Sequence, residues 1–251
     1  MSNPRVIIYG LASCAGCQLQ ILNLENELLD IVKYIDIVNF KEAQSNNEEG
    51  PYDIAIIEGT VTCEREITKI KKLREESKVV VAIGACATHG NMPALKNFYD
   101  SGDFEKIVYN GKVPLGNLEK YSGIDKYIKV DHYIYGCPPT KEDIIQMVKD
   151  VLLDRAFVVK NYAVCVECKA KENQCVLDLG KVCLGPITRA GCGAICPSYL
   201  HRCDGCRGPL ENSNLQAELK LFKDNKITKE EILKRFRLFV GTAKPLEELN
   251  V

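Results

Sequence analysis

Cysteine dominates the chemistry open to this chain, with thirteen in 251 residues. The pair in Cys14-Ala-Gly-Cys17 admits three readings: a redox dithiol, half of a zinc site, or half of an iron-sulfur site. Cys86 in Gly84-Ala-Cys-Ala-Thr88 and Cys137 in Gly136-Cys-Pro-Pro139 each follow an apolar run, as does the first pair, so three strand ends present four cysteines. A thioredoxin-like motif needs only the first pair, and the other two thiols favour a metal cluster. Beyond Asp154, eight more cysteines fall within 42 residues: Cys165, Cys168, Cys175, Cys183, Cys192, Cys196, Cys203 and Cys206. Few long apolar runs lie between them, so the segment is not expected to build a core of its own, and bound metal is expected to supply much of its folding energy.

The elements that must position these thiols follow from hydrophobic period. From Arg5 to about Asp154, short apolar runs alternate with segments of helical period, the pattern of a parallel sheet covered by helices. The expected strands are Arg5–Tyr9, Tyr34–Phe40, Asp53–Ile57, Lys78–Ile83 and Asp131–Tyr135. The clearest expected helices are Gln18–Val32, Glu64–Ser77 and Lys141–Leu153, the last capped by Thr140. Five such strands predict a flavodoxin-like α/β domain. No Gly-x-Gly-x-x-Gly follows the first strand and no Walker lysine is present, so a nucleotide site is unsupported at that turn. Gly10, Gly16, Gly84 and Gly136 remain, each open to two readings: a position where backbone amides can approach sulfur, or a plain turn glycine. Successive strand ends of an open parallel sheet share one edge, where such sheets bind ligands.

Between Ala94 and Tyr127 the period weakens at Gly102, Gly111, Pro114, Gly116 and Gly123. This reads as a long surface excursion, whose tyrosines Tyr99, Tyr109, Tyr121 and Tyr127 suit an interface or ordinary packing. After Glu211, Leu215–Leu219 and Glu231–Phe236 read as two short amphipathic helices, a docking appendage whose apolar stripes must find either a partner or the subunit itself. The division expected is residues 1–154 as the flavodoxin-like domain, 155–210 as a small loop-rich metal domain and 211–251 as a helical extension.

Composition narrows the function. The formal net charge of -1 is spread along helix faces and gives no electrostatic footprint for nucleic acid. No apolar stretch approaches the roughly 20 residues that span a bilayer, and neither a signal segment nor a twin-arginine leader is visible. A cytoplasmic protein whose cysteines bind metal rather than form disulfides is the expectation. Four plus eight thiols match three four-iron four-sulfur clusters, while two zinc sites would use the same eight. Cys137-Pro138 and Cys196-Pro197, similar to the Cys-Pro ending of ferredoxin motifs, favour iron. Cys63 is left over and reads as a small buried hydrophobe, although it too follows a strand end.

Together, Cys14-Ala-Gly-Cys17, Gly84-Ala-Cys86, Tyr135-Gly-Cys-Pro-Pro139, Cys183-Leu-Gly-Pro-Ile-Thr-Arg-Ala-Gly-Cys192 and Cys203-Asp-Gly-Cys206 resemble the small subunits of nickel-iron hydrogenases, those of the cytoplasmic sulfhydrogenase delta type above all. The resemblance runs from Arg5 to about Pro209. It implies a proximal cluster on Cys14, Cys17, Cys86 and Cys137, a medial one on Cys192, Cys196, Cys203 and Cys206, and a distal one on Cys165, Cys168, Cys175 and Cys183. Periplasmic relatives carry a histidine on the distal cluster, where this chain has a cysteine of the Cys165/Cys168 pair, and a proline in place of Cys196.

The implied function is electron transfer in reversible hydrogen oxidation, with hydrogen chemistry left to a nickel-iron large subunit. Flavin and iron-sulfur diaphorase-type subunits serving NADP(H) or polysulfide are the further partners implied. The rival readings are a related quinone-oxidoreductase iron-sulfur subunit, which lacks the last eight cysteines, and a zinc-stabilised interaction scaffold. Glu58 lies on the cluster edge, and the family places an acidic residue there; cluster electrostatics, proton movement and helix capping are all open to it. His89 and His201 lie near cysteines without being needed as ligands, and His132 reads as structural.

Overall fold

The computed structural model describes residues 3–99, 103–110 and 117–243. The first part runs β1 (Arg5–Gly10), α1 (Gly16–Leu22), α2 (Asn26–Ile31), β2 (Asp36–Phe40), β3 (Tyr52–Glu58), β4 (Val61–Cys63), α3 (Glu64–Glu76), β5 (Ser77–Ile83), α4 (Gly84–His89), α5 (Asp103–Tyr109), β6 (Asn117–Ser122), β7 (His132–Ile134) and α6 (Lys141–Leu152). Five strands form a parallel sheet in the order β2-β1-β3-β5-β7, the flavodoxin-like arrangement expected.

Both faces of this sheet are covered, which is why its strands read as nearly continuous apolar runs. Alternation sends Val6, Ile8, Ile54, Ile56, Val81 and Ile83 into one core with Ile21, Leu24, Ile144 and Met147. Ile7, Ala55, Ile57, Val80 and Ala82 enter the opposite core with Ile67, Ile70 and Leu73 of α3. Register decides where the chemistry goes. Gly10 pairs with Glu58, Glu58 with Ile83, and Ile83 with Ile134, so four strands end on one row across the sheet.

Two local differences from the sequence reading have physical causes. The helix expected over Gln18–Val32 is two helices, because the chain turns at Asn23–Glu25, where Glu25 takes φ 54°, and drives Leu24 fully into the core. The surface excursion contains β6, which pairs antiparallel with β4; only Tyr121 and Ser122 of its six residues are buried, so no apolar alternation announces it. Of its tyrosines, Tyr121 is buried and Tyr127 packs on the second core, whereas Tyr99 and Tyr109 are exposed. Gly102, Gly111, Pro114 and Gly116 lie outside the described residues.

Beyond Leu152, α7 (Val164–Ala170) and α8 (Ile195–Ser198) are joined by loops and a 3-10 turn at Gly185–Ile187. Isolated bridges Ala163–Arg189 and Thr188–Pro209 tie the loops together. Two helices follow, α9 (Leu215–Asp224) and α10 (Lys229–Val240), capped by Asn214 and Thr228, whose side chains accept from Ala217 N–H and Glu231 N–H. They do not project as a free appendage. Leu219, Phe222, Ile232, Phe236 and Val240 close over Val182, Leu184 and Ile187, each buried side chain contributing about 1.5–3 kcal/mol. The first of these helices also places Glu218 inside the protein, 3% exposed. Among the described residues, no helix is long and apolar enough to cross a membrane.

Candidate metal centre

The row of strand ends delivers the first four thiols to one place. Cys14 is exposed in the turn after β1, where Ala15 adopts φ 58°, and Cys17 is buried in the first turn of α1. Cys86 lies in α4 directly after β5, and Cys137 follows β7. Ala85 N–H donates to Gly136 O at 2.8 Å and so fastens the Cys86 helix to the Cys137 loop. Gly84 has φ 84°, and a Cβ there would stand 2.2 Å from Cys17 Sγ; only glycine leaves that sulfur its space.

Two polar residues organise this quartet. Asn91 Nδ2 donates to Cys86 Sγ at 3.3 Å and to Cys137 Sγ at 3.5 Å, so one buried amide spans both sulfurs. The Glu58 carboxylate, 1% exposed, accepts from Cys17 N–H at 3.0 Å and from Gln18 Nε2 at 2.8 Å. Glu58 therefore holds the first turn of α1 in place, which joins the capping reading to its position on the cluster edge. Burial, above all, pushes the Cys17 thiol far up, with Glu58 and Cys86 adding to it. Burial also raises Cys86, to about 11, and Cys137, with Asn91 opposing the rise at both.

The remaining eight cysteines form two further groups. Cys165 and Cys168 sit three apart on α7, and with Cys175 and Cys183 they line one cavity. A Cβ on Gly185 would lie 3.3 Å from Cys165 Sγ and 3.5 Å from Cys183 Sγ, and Asn173 Nδ2 approaches Cys168 Sγ at 3.7 Å. Burial raises Cys165 to about 12, reinforced by Cys183, Cys168 and Cys175. Cys192, Cys196, Cys203 and Cys206 line another cavity, of about 540 Å³, together with Cys137 of the first group. Burial raises Cys206 to about 12; Cys192, Cys137 and Cys196 add to the rise, and the backbone of Cys137 opposes it through a hydrogen bond. Cys203 N–H donates to Cys183 Sγ at 3.3 Å. The three groups are thus contiguous, in the order first four, then Cys192 to Cys206, then Cys165 to Cys183.

Arg207 locks this contiguity and is legible in the sequence only as a basic residue beside Cys206. Its side chain, 4% exposed, pairs with Asp143 of α6 at 2.6 Å, donates to Tyr135 O at 3.0 Å and to Ala190 O at 2.8 Å. Asn91 and Gln18 were likewise unannounced, because they act from outside the cysteine motifs. Cys63 stands apart at the β4 end before α3, where Glu66 accepts from its N–H at 3.3 Å. His89 stacks on Tyr135 with ring centroids 5.4 Å apart, His201 is exposed, and His132 opens β7.

The donor chemistry fits a positively charged inorganic group. Buried thiols with raised pKa values lose their protons when metal supplies the counter-charge, and amide donors aimed at sulfur are the usual company of iron-sulfur clusters. The family described as NADH ubiquinone oxidoreductase, 20 Kd subunit, matches residues 14–151. Sulfhydrogenase 2 subunit delta of Pyrococcus furiosus is 36% identical over 234 residues, covering 92% of this chain and 97% of its own. In a NAD+-reducing [NiFe]-hydrogenase, a solved chain is 27% identical with TM-score 0.57, over 62% of this chain and 95% of that one. The [NiFeSe] hydrogenase of Desulfovibrio vulgaris Hildenborough shares the fold at 18% identity and TM-score 0.59, over 84% of this chain and 95% of that one. The chain belongs to the NADH ubiquinone oxidoreductase 20 Kd subunit family and, within it, to the small subunits of nickel-iron hydrogenases.

Proposed function

We propose that this small subunit is a three-cluster electron relay. Cys14, Cys17, Cys86 and Cys137 would hold the proximal four-iron four-sulfur cluster, Cys192, Cys196, Cys203 and Cys206 the medial one, and Cys165, Cys168, Cys175 and Cys183 the distal one. The observation that carries this reading is contiguity: Cys137 adjoins Cys206, and Cys203 adjoins Cys183. When bound, the clusters supply one-electron carriers whose potentials follow burial and hydrogen bonds to sulfur. The chain's own part is to hold the sulfurs, exclude water and aim donors such as Asn91 at them. The division at residues 154 and 210 belongs to the same proposal: the sheet carries one cluster, the loop-rich segment two, and the helices after 210 close over the latter.

A cytoplasmic complex with a nickel-iron large subunit, and with flavin and iron-sulfur diaphorase-type subunits serving NADP(H) or polysulfide, completes the reading. Geometry favours it over a zinc scaffold. A single zinc draws four sulfurs to about 2.3 Å from one point, whereas a cubane binds each thiolate at a different corner; among the described residues, no three cysteine, histidine or carboxylate side chains converge as one ion requires. Metal analysis of anaerobically purified protein should give about twelve irons with matching acid-labile sulfide; zinc without sulfide ends the proposal. Cys86→Ala should abolish hydrogen-dependent reduction of the other clusters. Cys196→Pro should convert the medial cluster alone to a three-iron form, seen as a new paramagnetic signal after oxidation.

A further inference from the structure

A cavity of about 610 Å³ lies behind the proximal thiols and takes no part in the relay. Its size falls within the usual range for small-molecule sites, about 300–1,000 Å³. One wall is an aromatic ladder: Tyr133 stacks on Tyr135 at 5.9 Å with 7° between the rings, Tyr135 stacks on His89 at 5.4 Å and 12°, and the Arg189 guanidinium lies 4.4 Å from the Tyr135 ring centre. Ser122, 8% exposed, and His89 are among the lining residues; Ser122 Oγ and His89 Nε2 have no hydrogen-bond partner among the described residues, and both atoms are buried beneath the cavity surface, His89 Nε2 against Gly208. Buried polar groups ordinarily find partners. The charged lining is cationic on balance, Lys120, Lys126 and Arg189 against Asp125 and Glu211. Thr242 of the C-terminal extension also lines the cavity and donates to His89 O.

We propose that this cavity binds a mononucleotide-sized ligand, a planar ring carrying a phosphate, with the ring against the Tyr133–Tyr135–His89 wall and the phosphate toward Lys120 and Lys126. Aromatic and guanidinium surfaces favour a flat conjugated ring, and the lysines supply point charges for a phosphate. Occupancy would bear on the proximal thiols, because Tyr135 is two residues before Cys137 and His89 three after Cys86.

The test is calorimetric titration of the cluster-loaded subunit with adenosine monophosphate, adenosine and inorganic phosphate. The nucleotide should bind saturably, at least about tenfold tighter than either fragment, since both halves of the site contribute about 1.4 kcal/mol or more each. The exposed pair Lys120→Gln/Lys126→Gln should weaken it several-fold with the fold intact, and 8-azido-adenosine monophosphate should photolabel the segment carrying Tyr133 and Tyr135. No saturable nucleotide binding, inorganic phosphate binding as tightly as the nucleotide, or labelling elsewhere would overturn the proposal. These readouts report nucleotide binding, whereas the relay is tested by iron and sulfide content, so the two readings fail separately.

Discussion

The first four cysteines and the last eight are held by different physics. The first four ride on the ends of strands whose register is fixed by two cores, so Gly10, Glu58, Ile83 and Ile134 stand in one row whatever the loops carry. The last eight lie on short helices and turns, and two of them, Cys183 and Cys203, are themselves part of the small core there with Val164, Val176 and Ala194. That core is completed from outside, by α9 and α10 over Val182, Leu184 and Ile187. A sheet can preorganise a site before its ligand arrives. A loop region of this composition makes the ligand and a borrowed hydrophobic cover part of its own fold.

The widest separation between the two regions should come from removing iron with acid and chelator. Amide exchange in Val164–Arg207 and in α9 and α10 should accelerate by about a hundredfold or more, because cluster binding is folding energy there. Amides of β1, β3 and β5 should stay protected, and simultaneous loss in both regions would erase the contrast. Next in size are the joints. Arg207→Met removes the buried partner of Asp143 on α6 and two further links, to the Tyr135 strand end and to Ala190 of the cluster loops, and should cost about 3–5 kcal/mol. Phe222→Ala, at a fully buried position of the cover, should cost about as much, with exchange faster around Val182–Ile187 before it changes in the sheet. Urea titrations measure both, and a loss under about 1 kcal/mol for either would mean the regions are independent.

A pH prediction follows from Glu218, which α9 buries near Cys165 and Cys183. Burial raises its pKa to about 8, so the folded state favours the neutral carboxyl. Its contribution to stability is complete below the unfolded value near 4.5 and is lost as pH rises toward about 8. The slope in that window is about 1.4 kcal/mol per pH unit. Glu218→Gln should flatten it, as read from the stability of the extension between pH 5 and 8; an unchanged slope assigns the effect to other groups. The smallest effect belongs to Cys63→Ser, at a half-buried helix start away from the thiol groups. It should leave iron content near wild type and cost under about 1 kcal/mol; loss of a whole cluster would make Cys63 a ligand.

Sequence alone determined the alternating strands and helices, the strand ends that carry Cys14, Cys17, Cys86 and Cys137, the Thr140 cap of α6, whose side chain accepts from Asp143 N–H, and the motif order that marks the family. These were legible because period and turn chemistry are local. Tertiary structure decided what the amphipathic stripes of α9 and α10 cover, since a stripe announces only that apolar area must be buried. It also decided that Asn91 spans two sulfurs, that Arg207 reaches α6, and that Cys137 adjoins Cys206. These contacts join residues that can stand far apart in sequence, 64 positions from Asp143 to Arg207. A polar side chain's partner at that separation is set by packing, not by its neighbours in the chain.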